Sequence, residues 1–186
     1  MKKFLSIVIF VILTGNLFCQ TYEWESVNAG LASGFSKDKN GFYNPTGGAL
    51  TLGTAFRCNL KDKQLSPGVQ FTFSVWDRIS ADKSQSYRQV AFVFLVTTDY
   101  NYTKIHPNFV PFAGIGVGAS LMRDAESIVS EEHSDIIDYV NFKWRPGISP
   151  RIGFELFKGL RFTAEYMYLG NGNNFFNYKL GFVIGS

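Results

Sequence analysis

Apolar residues recur at every second position between Ala49 and Ser80, on both sides of a polar break. The apolar series runs through Leu50, Leu52, Thr54, Phe56, Cys58 and Leu60, and then through Val69, Phe71, Phe73 and Val75. The residues between them are small or polar, and Arg57 is among them. Because successive side chains of a strand point to opposite faces, this pattern predicts strands with one apolar and one polar face. A soluble barrel or sandwich gives the same alternation, so the pattern alone leaves open which face is buried.

The alternation continues along the chain and predicts eight strands. They lie at about residues 26–36, 49–60, 69–76, 88–102, 109–122, 145–156, 160–169 and 175–185. Most have the roughly 9–11 residues with which a tilted strand crosses a bilayer. The fourth strand is apolar on both faces, so its alternation is blurred. In the fifth strand, Gly114, Gly116 and Gly118 share one face, which suits a narrow barrel interior.

Composition and charge favour the all-β class and exclude a nucleic-acid partner. The 186 residues include 19 Phe, 9 Tyr and 18 Gly, while charged residues are 18%. Aromatic residues are enriched in strands. The formal net charge is only +3, and no basic tract or stacking motif is present.

The first residues have the features of a secretory signal. Lys2 and Lys3 precede an apolar run over residues 4–13, which is too short for a spanning helix. We therefore predict a signal peptide over residues 1–19 and a barrel domain over residues 20–186. Acylation of Cys19 is disfavoured by the bulky Phe18 before it. A cut after Cys19 leaves Cys58 as the one cysteine, so we expect no disulfide and interpret Cys58 as an apolar filler on the lipid face.

Charged residues fall on the polar faces of the predicted strands. They are Arg57, Arg151, Glu155, Arg161, Glu165 and Lys179. A three-residue turn over residues 157–159, with Gly159 in the left-handed conformation, would place Glu155 opposite Arg161 and Arg151 opposite Glu165. In a membrane barrel such charges meet a packed interior and should pair. We interpret them as interior charge pairs with a structural or gating role.

Aromatic residues of the apolar faces cluster near the strand ends, as the two girdles of a transmembrane barrel do. The predicted outer girdle holds Phe35, Tyr168 and Phe176, and the inner girdle holds Tyr100, Tyr102 and Phe109. Pro111, Pro146 and Pro150 each remove a ladder donor, so we expect bulges or strand ends there.

Three stretches carry a resemblance to a known family. They are residues 110–118 (VPFAGIGVG), residues 151–168, which begin RIGFE and include LRFTAEYMY, and residues 178–184 (YKLGFVI). They resemble strands of the OmpA-like, porin-family outer-membrane barrels. The resemblance implies an all-β, eight-stranded antiparallel up-and-down transmembrane β-barrel in the outer membrane of a Gram-negative-type bacterium. It also implies contact with outer-membrane lipid, lipopolysaccharide and the assembly machinery.

An eight-stranded barrel is filled by its own side chains, so we expect a non-catalytic structural or interaction role. Three alternatives remain open: a small-solute or hydrophobic-compound channel gated by the interior charge pairs, a secreted soluble lipid-binding barrel, and a lipid A-modifying enzyme. An enzyme would need a nucleophile and a base, and His133–Ser134 is the nearest such pair. We expect a monomer with no cofactor or metal, and an acidic, solvated loop over residues 123–143 whose extracellular ligand, if any, is unknown.

Overall fold

The structure is a computed structural model that describes residues 21–33, 49–60, 64–79, 86–102, 108–128, 137–170 and 174–185. It contains eight strands: β1 Thr21–Ser33, β2 Ala49–Asn59, β3 Leu65–Ile79, β4 Ser86–Asn101, β5 Phe109–Ile128, β6 Ile137–Leu156, β7 Leu160–Met167 and β8 Phe175–Gly185. Each strand pairs antiparallel with the next, and β8 pairs with β1 to close the barrel. The predicted fold class, an all-β eight-stranded up-and-down barrel, is confirmed. No helix in the described ranges is long and apolar enough to span a membrane.

The two ends of the barrel differ in their connections. We call the end that joins β2 to β3, β4 to β5 and β6 to β7 the turn end, and the opposite end the loop end. At the loop end β5 and β6 continue to Ile128 and Ile137 and stay paired, whereas β4 stops pairing with β5 at Met122. The predicted acidic loop over residues 123–143 is therefore wrong in large part, because much of it is a two-stranded hairpin that extends beyond the barrel.

Strand β1 starts earlier than the sequence pattern predicted, at Thr21 instead of residue 26. Its pairing shifts by one residue between Glu25 and Asn28, which is a β-bulge. Glu25 is buried on the inner side, whereas Ala29 after the bulge is exposed. The extra residue resets the alternation, which is why the inward acids at the start of β1 were missed.

The β6–β7 hairpin has the register that the charge pattern predicted, with Leu156 opposite Leu160 and Glu155 opposite Arg161. The conformation of its turn differs from the prediction. Phe157 and Lys158 have φ values of 52° and 57°, and Gly159 N donates to Leu156 O at 3.0 Å. Two successive left-handed residues make a type I′ turn, so the left-handed position assigned to Gly159 was wrong.

The prolines of β5 and β6 cause no register shift in the ladder between those strands, so the expected bulges are absent there. Pro150 instead interrupts the ladder on the β7 side. The β6–β7 pairing covers residues 151–156, and beyond Pro150 only an isolated bridge joins Ile148 to Tyr168. Pro146 lies past that bridge, where β7 offers no partner. The missing proline donors therefore cost few ladder bonds.

The two faces of the sheet differ sharply in chemistry. Large apolar side chains are exposed on the outside, for example Leu52, Phe71, Phe92, Ile152 and Phe182. Polar and charged side chains are buried inside, for example Arg57, Asp99, Arg151, Glu165 and Lys179. The alternation of the sequence therefore places the apolar series outward and the charged series inward.

Candidate functional site

The interior toward the turn end is filled by ion pairs centred on Asp99 of β4, whose side chain is fully buried. Its Oδ1 accepts a hydrogen bond from Arg151 Nε at 2.6 Å, and its Oδ2 accepts one from Arg161 Nη2 at 2.5 Å. Gly114 of β5 is opposite Asp99 in register, and a Cβ there would collide with the Asp99 carboxylate. Gly114 thus leaves the space that lets two arginines from β6 and β7 meet one carboxylate.

The contacts continue from Arg161 to the mouth at the turn end. Arg161 Nη1 is 3.4 Å from Glu155 Oε2, and its guanidinium lies 3.5 Å from the ring centroid of Phe112. Arg57 Nη2 lies 3.7 Å from Glu155 Oε2 and 3.3 Å from Glu23 Oε2. Buried ions need such partners, because the cost of desolvation is otherwise uncompensated.

In the other direction the contacts reach the middle of the barrel. Arg151 Nη1 donates to Gln70 Oε1 at 2.7 Å, and Gln70 Nε2 donates to Glu165 Oε2 at 3.2 Å. Glu165 Oε1 is 2.9 Å from Lys179 Nζ and accepts from Asn177 Nδ2 at 2.8 Å. We call this connected set, from Glu23 to Lys179, the charged layer. Of the eight strands, only β5 supplies no polar side chain to it, and β5 supplies Gly114 instead.

All six charged residues predicted for the interior lie on the inner face. The predicted pair of Glu155 and Arg161 is confirmed at 3.4 Å, whereas the predicted pair of Arg151 and Glu165 is not formed. Arg151 and Glu165 are opposite each other in register, as predicted. Arg151 nevertheless forms its ion pair with Asp99, and Glu165 forms its ion pair with Lys179. Side chains in a narrow barrel reach across the interior to other strands, so register partners are not necessarily ion-pair partners.

The sequence prediction did not single out four members of this layer: Asp99, Gln70, Asn177 and Glu23. Asp99 and Gln70 lie on the polar series of their strands, so their parity placed them inside. The signal available for Asp99 was that it is the only carboxylate on that series of β4. Glu23 was missed because the first strand was predicted to start after it.

Toward the loop end the interior holds an apolar cluster, beside buried polar side chains such as Thr51, Ser74 and Gln89. Eight buried residues form one cluster there, which we call the apolar layer: Trp76, Ala91, Val93, Leu95, Met122, Met167, Leu169 and Phe175. The rings of Trp76 and Phe175 lie 4.9 Å apart. The blurred alternation of β4 has its explanation here, because Val93 and Leu95 fill the interior while Phe92 and Phe94 face outward. The expectation that the inner face would be polar or small throughout was wrong for this half.

The predicted girdle residues that the structure describes face outward near the strand ends. Tyr100, Tyr102 and Phe109 are exposed at the turn end, and Tyr168 and Phe176 are exposed at the loop end. Phe35 lies outside the described residues. At the loop end, Phe142 and Trp144 of β6 are also exposed, and Trp144 is exposed to 70%. Their position relative to a membrane stays a prediction.

Cys58 is disulfide-bonded, so its interpretation as a free apolar filler was wrong. The chain has one other cysteine, Cys19, which lies outside the described residues. The prediction of no disulfide had counted only the cysteines after the assumed cleavage site. The cleavage site itself stays a prediction.

The nucleophile and base that the sequence singled out are not among the described residues. His106, His133 and Ser134 lie outside the described residues. Within the described ranges, no three residues of His, Cys, Asp or Glu are grouped so that they could hold a metal ion. The charged layer is thus an arrangement of ion pairs and amide hydrogen bonds, in which the Arg57 guanidinium makes ion-pair contacts but no hydrogen bond with a described residue.

Solved structures share this barrel. OprG from Pseudomonas aeruginosa is 13% identical, with 91% of this chain and 97% of that chain covered and a TM-score of 0.53. The chain has the fold of an eight-stranded outer-membrane barrel. At this identity the likeness assigns the fold and nothing more.

Two further barrels match with lower scores. Ail, the attachment invasion locus protein of Yersinia pestis, crystallised with the heparin analogue sucrose octasulfate, is 12% identical, with 88% and 99% of the two chains covered and a TM-score of 0.49. The N-terminal β-barrel domain of Pseudomonas aeruginosa OprF is 11% identical, with 91% and 99% covered and a TM-score of 0.43. No protein-family model and no curated protein sequence matches the chain.

Proposed function

We propose that this protein is an integral outer-membrane barrel with a filled interior, and that its role is structural or interactive and not catalytic. One observation supports the membrane location above all: large apolar side chains such as Phe71, Phe92 and Ile152 are exposed around the outside, while Asp99 and Arg151 are buried inside. Hydrocarbon solvates such a surface, and closure of the barrel lets neighbouring strands satisfy each other's backbone groups. A soluble lipid carrier needs the opposite arrangement of faces.

The interior supports a filled barrel over a channel. The charged layer joins strands on all sides of the interior through contacts such as Arg161–Asp99 at 2.5 Å. Beyond it, Met122, Met167 and Leu169 have no exposed surface. An ion that crossed the charged layer would meet apolar side chains at the loop end, where charge is costly. The alternative of a gated channel requires both layers to rearrange.

The test of the proposed location is heat-modifiable migration together with membrane fractionation. Folded protein in detergent should migrate faster before boiling than after it, and the protein should fractionate with outer membranes. Recovery in the soluble periplasmic fraction, with no shift on boiling, would support the lipid carrier instead.

The test of the filled interior is single-molecule conductance in planar bilayers. The wild-type protein should give no steady current. Asp99→Asn is the informative variant, because it weakens the charged layer while the apolar layer stays in place, so the barrel should remain closed. Steady conductance of the wild type would favour the gated channel.

Partners follow from the proposed location. We propose contacts with outer-membrane lipid and lipopolysaccharide around the barrel, recognition by the outer-membrane assembly machinery during insertion, and a monomeric state. Among the described strands, the β5–β6 pair extends furthest beyond the barrel, and we propose it as the place where an extracellular ligand would dock. Labelling of residues 123–143 on intact cells would test its accessibility.

A further inference from the structure

A groove of about 530 Å³ runs across the outer surface of strands β2 to β6. Outward side chains such as Phe73, Phe92, Leu121 and Trp144 line it. Its volume lies within the range of small-ligand sites. Because lipid tails are as apolar as the side chains that line it, this lateral groove can seat an acyl chain but cannot by itself choose one lipid over another.

A basic residue, Arg123, lies at the end of the lateral groove that is nearer the loop end of the barrel. Arg123 follows Leu121 by two positions on β5, so both side chains share the outward face, about 7 Å apart along the strand. Arg123 is opposite Phe142, and Leu121 is opposite Trp144. Both aromatic side chains are exposed. A headgroup over this groove would therefore lie beside Arg123.

The Arg123 side chain has an unused donor. Its Nε is buried and makes no hydrogen bond to any described residue. Its main-chain oxygen is held by the Gln89 side chain, at the point where β4 and β5 stop pairing. A buried donor without a partner is costly, and an arginine fork fits a phosphate bidentately. Among the described residues, Arg123 Nε thus has no anionic acceptor.

We propose that Arg123 and the lateral groove form a binding site for one membrane lipid with a phosphomonoester headgroup. The phosphate accepts hydrogen bonds from the Arg123 guanidinium, and one acyl chain lies in the groove beside Leu121 and Trp144. This site rests on the proposed membrane location. It deepens that proposal by naming the lipid chemistry and the place where the lipid binds.

Native mass spectrometry of the purified full-length protein tests the site. The detergent-solubilised protein is incubated with equal amounts of dioleoyl phosphatidic acid and dioleoyl phosphatidylcholine, and the ratio of the two bound lipids is measured. One charge-assisted hydrogen-bonded contact predicts a preference for phosphatidic acid of about tenfold. Arg123→Gln should abolish the preference, and Arg123→Lys should keep part of it.

Two further variants separate the headgroup from the groove. Leu121→Trp fills the groove and should lower the amount of retained phosphatidic acid although Arg123 is intact. Lys158→Gln removes an exposed cation at the turn end and should change nothing. Equal binding of the two lipids by the wild type, an unchanged preference in Arg123→Gln, or an undiminished amount of retained phosphatidic acid in Leu121→Trp overturns the proposal. Heat-modifiable migration of each variant shows that it is folded, so a failure of the lipid site is distinguishable from a failure of the membrane barrel.

Discussion

The charged layer and the apolar layer both fill the interior of the barrel, but they do so with different kinds of side chain. In the charged layer, ions such as Asp99 and Arg161 are held by contacts that cross the barrel. In the apolar layer, Trp76, Met122 and Phe175 fill the space with apolar side chains. The outer surface is apolar beside both halves, so the difference is confined to the inside. Contact with the surrounding medium therefore sets the outer face, while the inner face varies with position along the axis.

The two layers should respond differently to small changes. An ion-pair layer depends on every partner, because one lost charge leaves others buried and unpaired. An apolar layer tolerates substitutions that conserve volume. The charged layer is thus the more specific of the two, and it should be the more sensitive one.

The largest effect is expected at Asp99. Asp99→Asn leaves Arg151 and Arg161 without their shared countercharge, and should lower the free energy of unfolding by about 3–5 kcal/mol. Met122→Leu in the apolar layer conserves volume and should cost less than about 1.5 kcal/mol. Reversible unfolding by urea in lipid vesicles measures both. Equal costs would show that the layers do not differ in sensitivity.

The outer surface should be intolerant of charge beside either layer. Phe92→Arg exchanges an exposed apolar side chain for an ion on the outer face and should cost about 2–4 kcal/mol near mid-bilayer. Its control is Phe92→Leu, which keeps the surface apolar. The same vesicle assay applies, and an arginine variant as stable as the leucine variant would contradict the assignment of faces.

A smaller effect is expected where a glycine makes room for the charged layer. In Gly114→Ala the new methyl group would meet the Asp99 carboxylate and Thr98 O, and the overpacking should cost about 1–3 kcal/mol. Gly116→Ala is the matched control, because its methyl group would meet the flexible end of Leu95 at 3.0 Å. That variant should cost about 1 kcal/mol or less. A larger loss of unfolding free energy in Gly116→Ala than in Gly114→Ala would contradict the role assigned to Gly114.

The smallest effect is expected at the β6–β7 turn, which borders the charged layer. Lys158→Gly removes a side chain from a left-handed residue and should raise the free energy of unfolding by about 0.5–1 kcal/mol. Gly159→Ala should be nearly neutral, since a methyl group there has no atom closer than Phe157 O at 3.9 Å. A destabilised Gly159→Ala variant would support the sequence prediction that Gly159 adopts the left-handed conformation.

The fold could be predicted because alternation and loop chemistry are local properties of the sequence. The register of the β6–β7 hairpin was also predictable, because its charges match only when Glu155 is opposite Arg161. The turn conformation was not, since two non-glycine residues, Phe157 and Lys158, adopt the left-handed region here. Residue type alone favoured Gly159.

The candidate site could be predicted only in part. The alternation placed Arg57, Arg151 and Lys179 on the inner face, but ion pairing depends on which side chains meet across the barrel. Nothing local to Asp99 indicates that two arginines from β6 and β7 converge on it. The apolar layer was missed because Val93 and Leu95 continue an apolar run, and such a run does not reveal which of its faces is inside.

The closure between β1 and β8 bears on how the chain reaches its final state. Gln70 meets Glu165 across 95 positions of sequence, and Glu23 on β1 reaches Arg57 at the mouth. Until the last strand is paired, several of these charged side chains have no countercharge, and their exposure to hydrocarbon is energetically costly. A partly inserted barrel is thus destabilised most by its charged layer. We therefore expect strand insertion and the formation of the interior ion pairs to be completed in one concerted step.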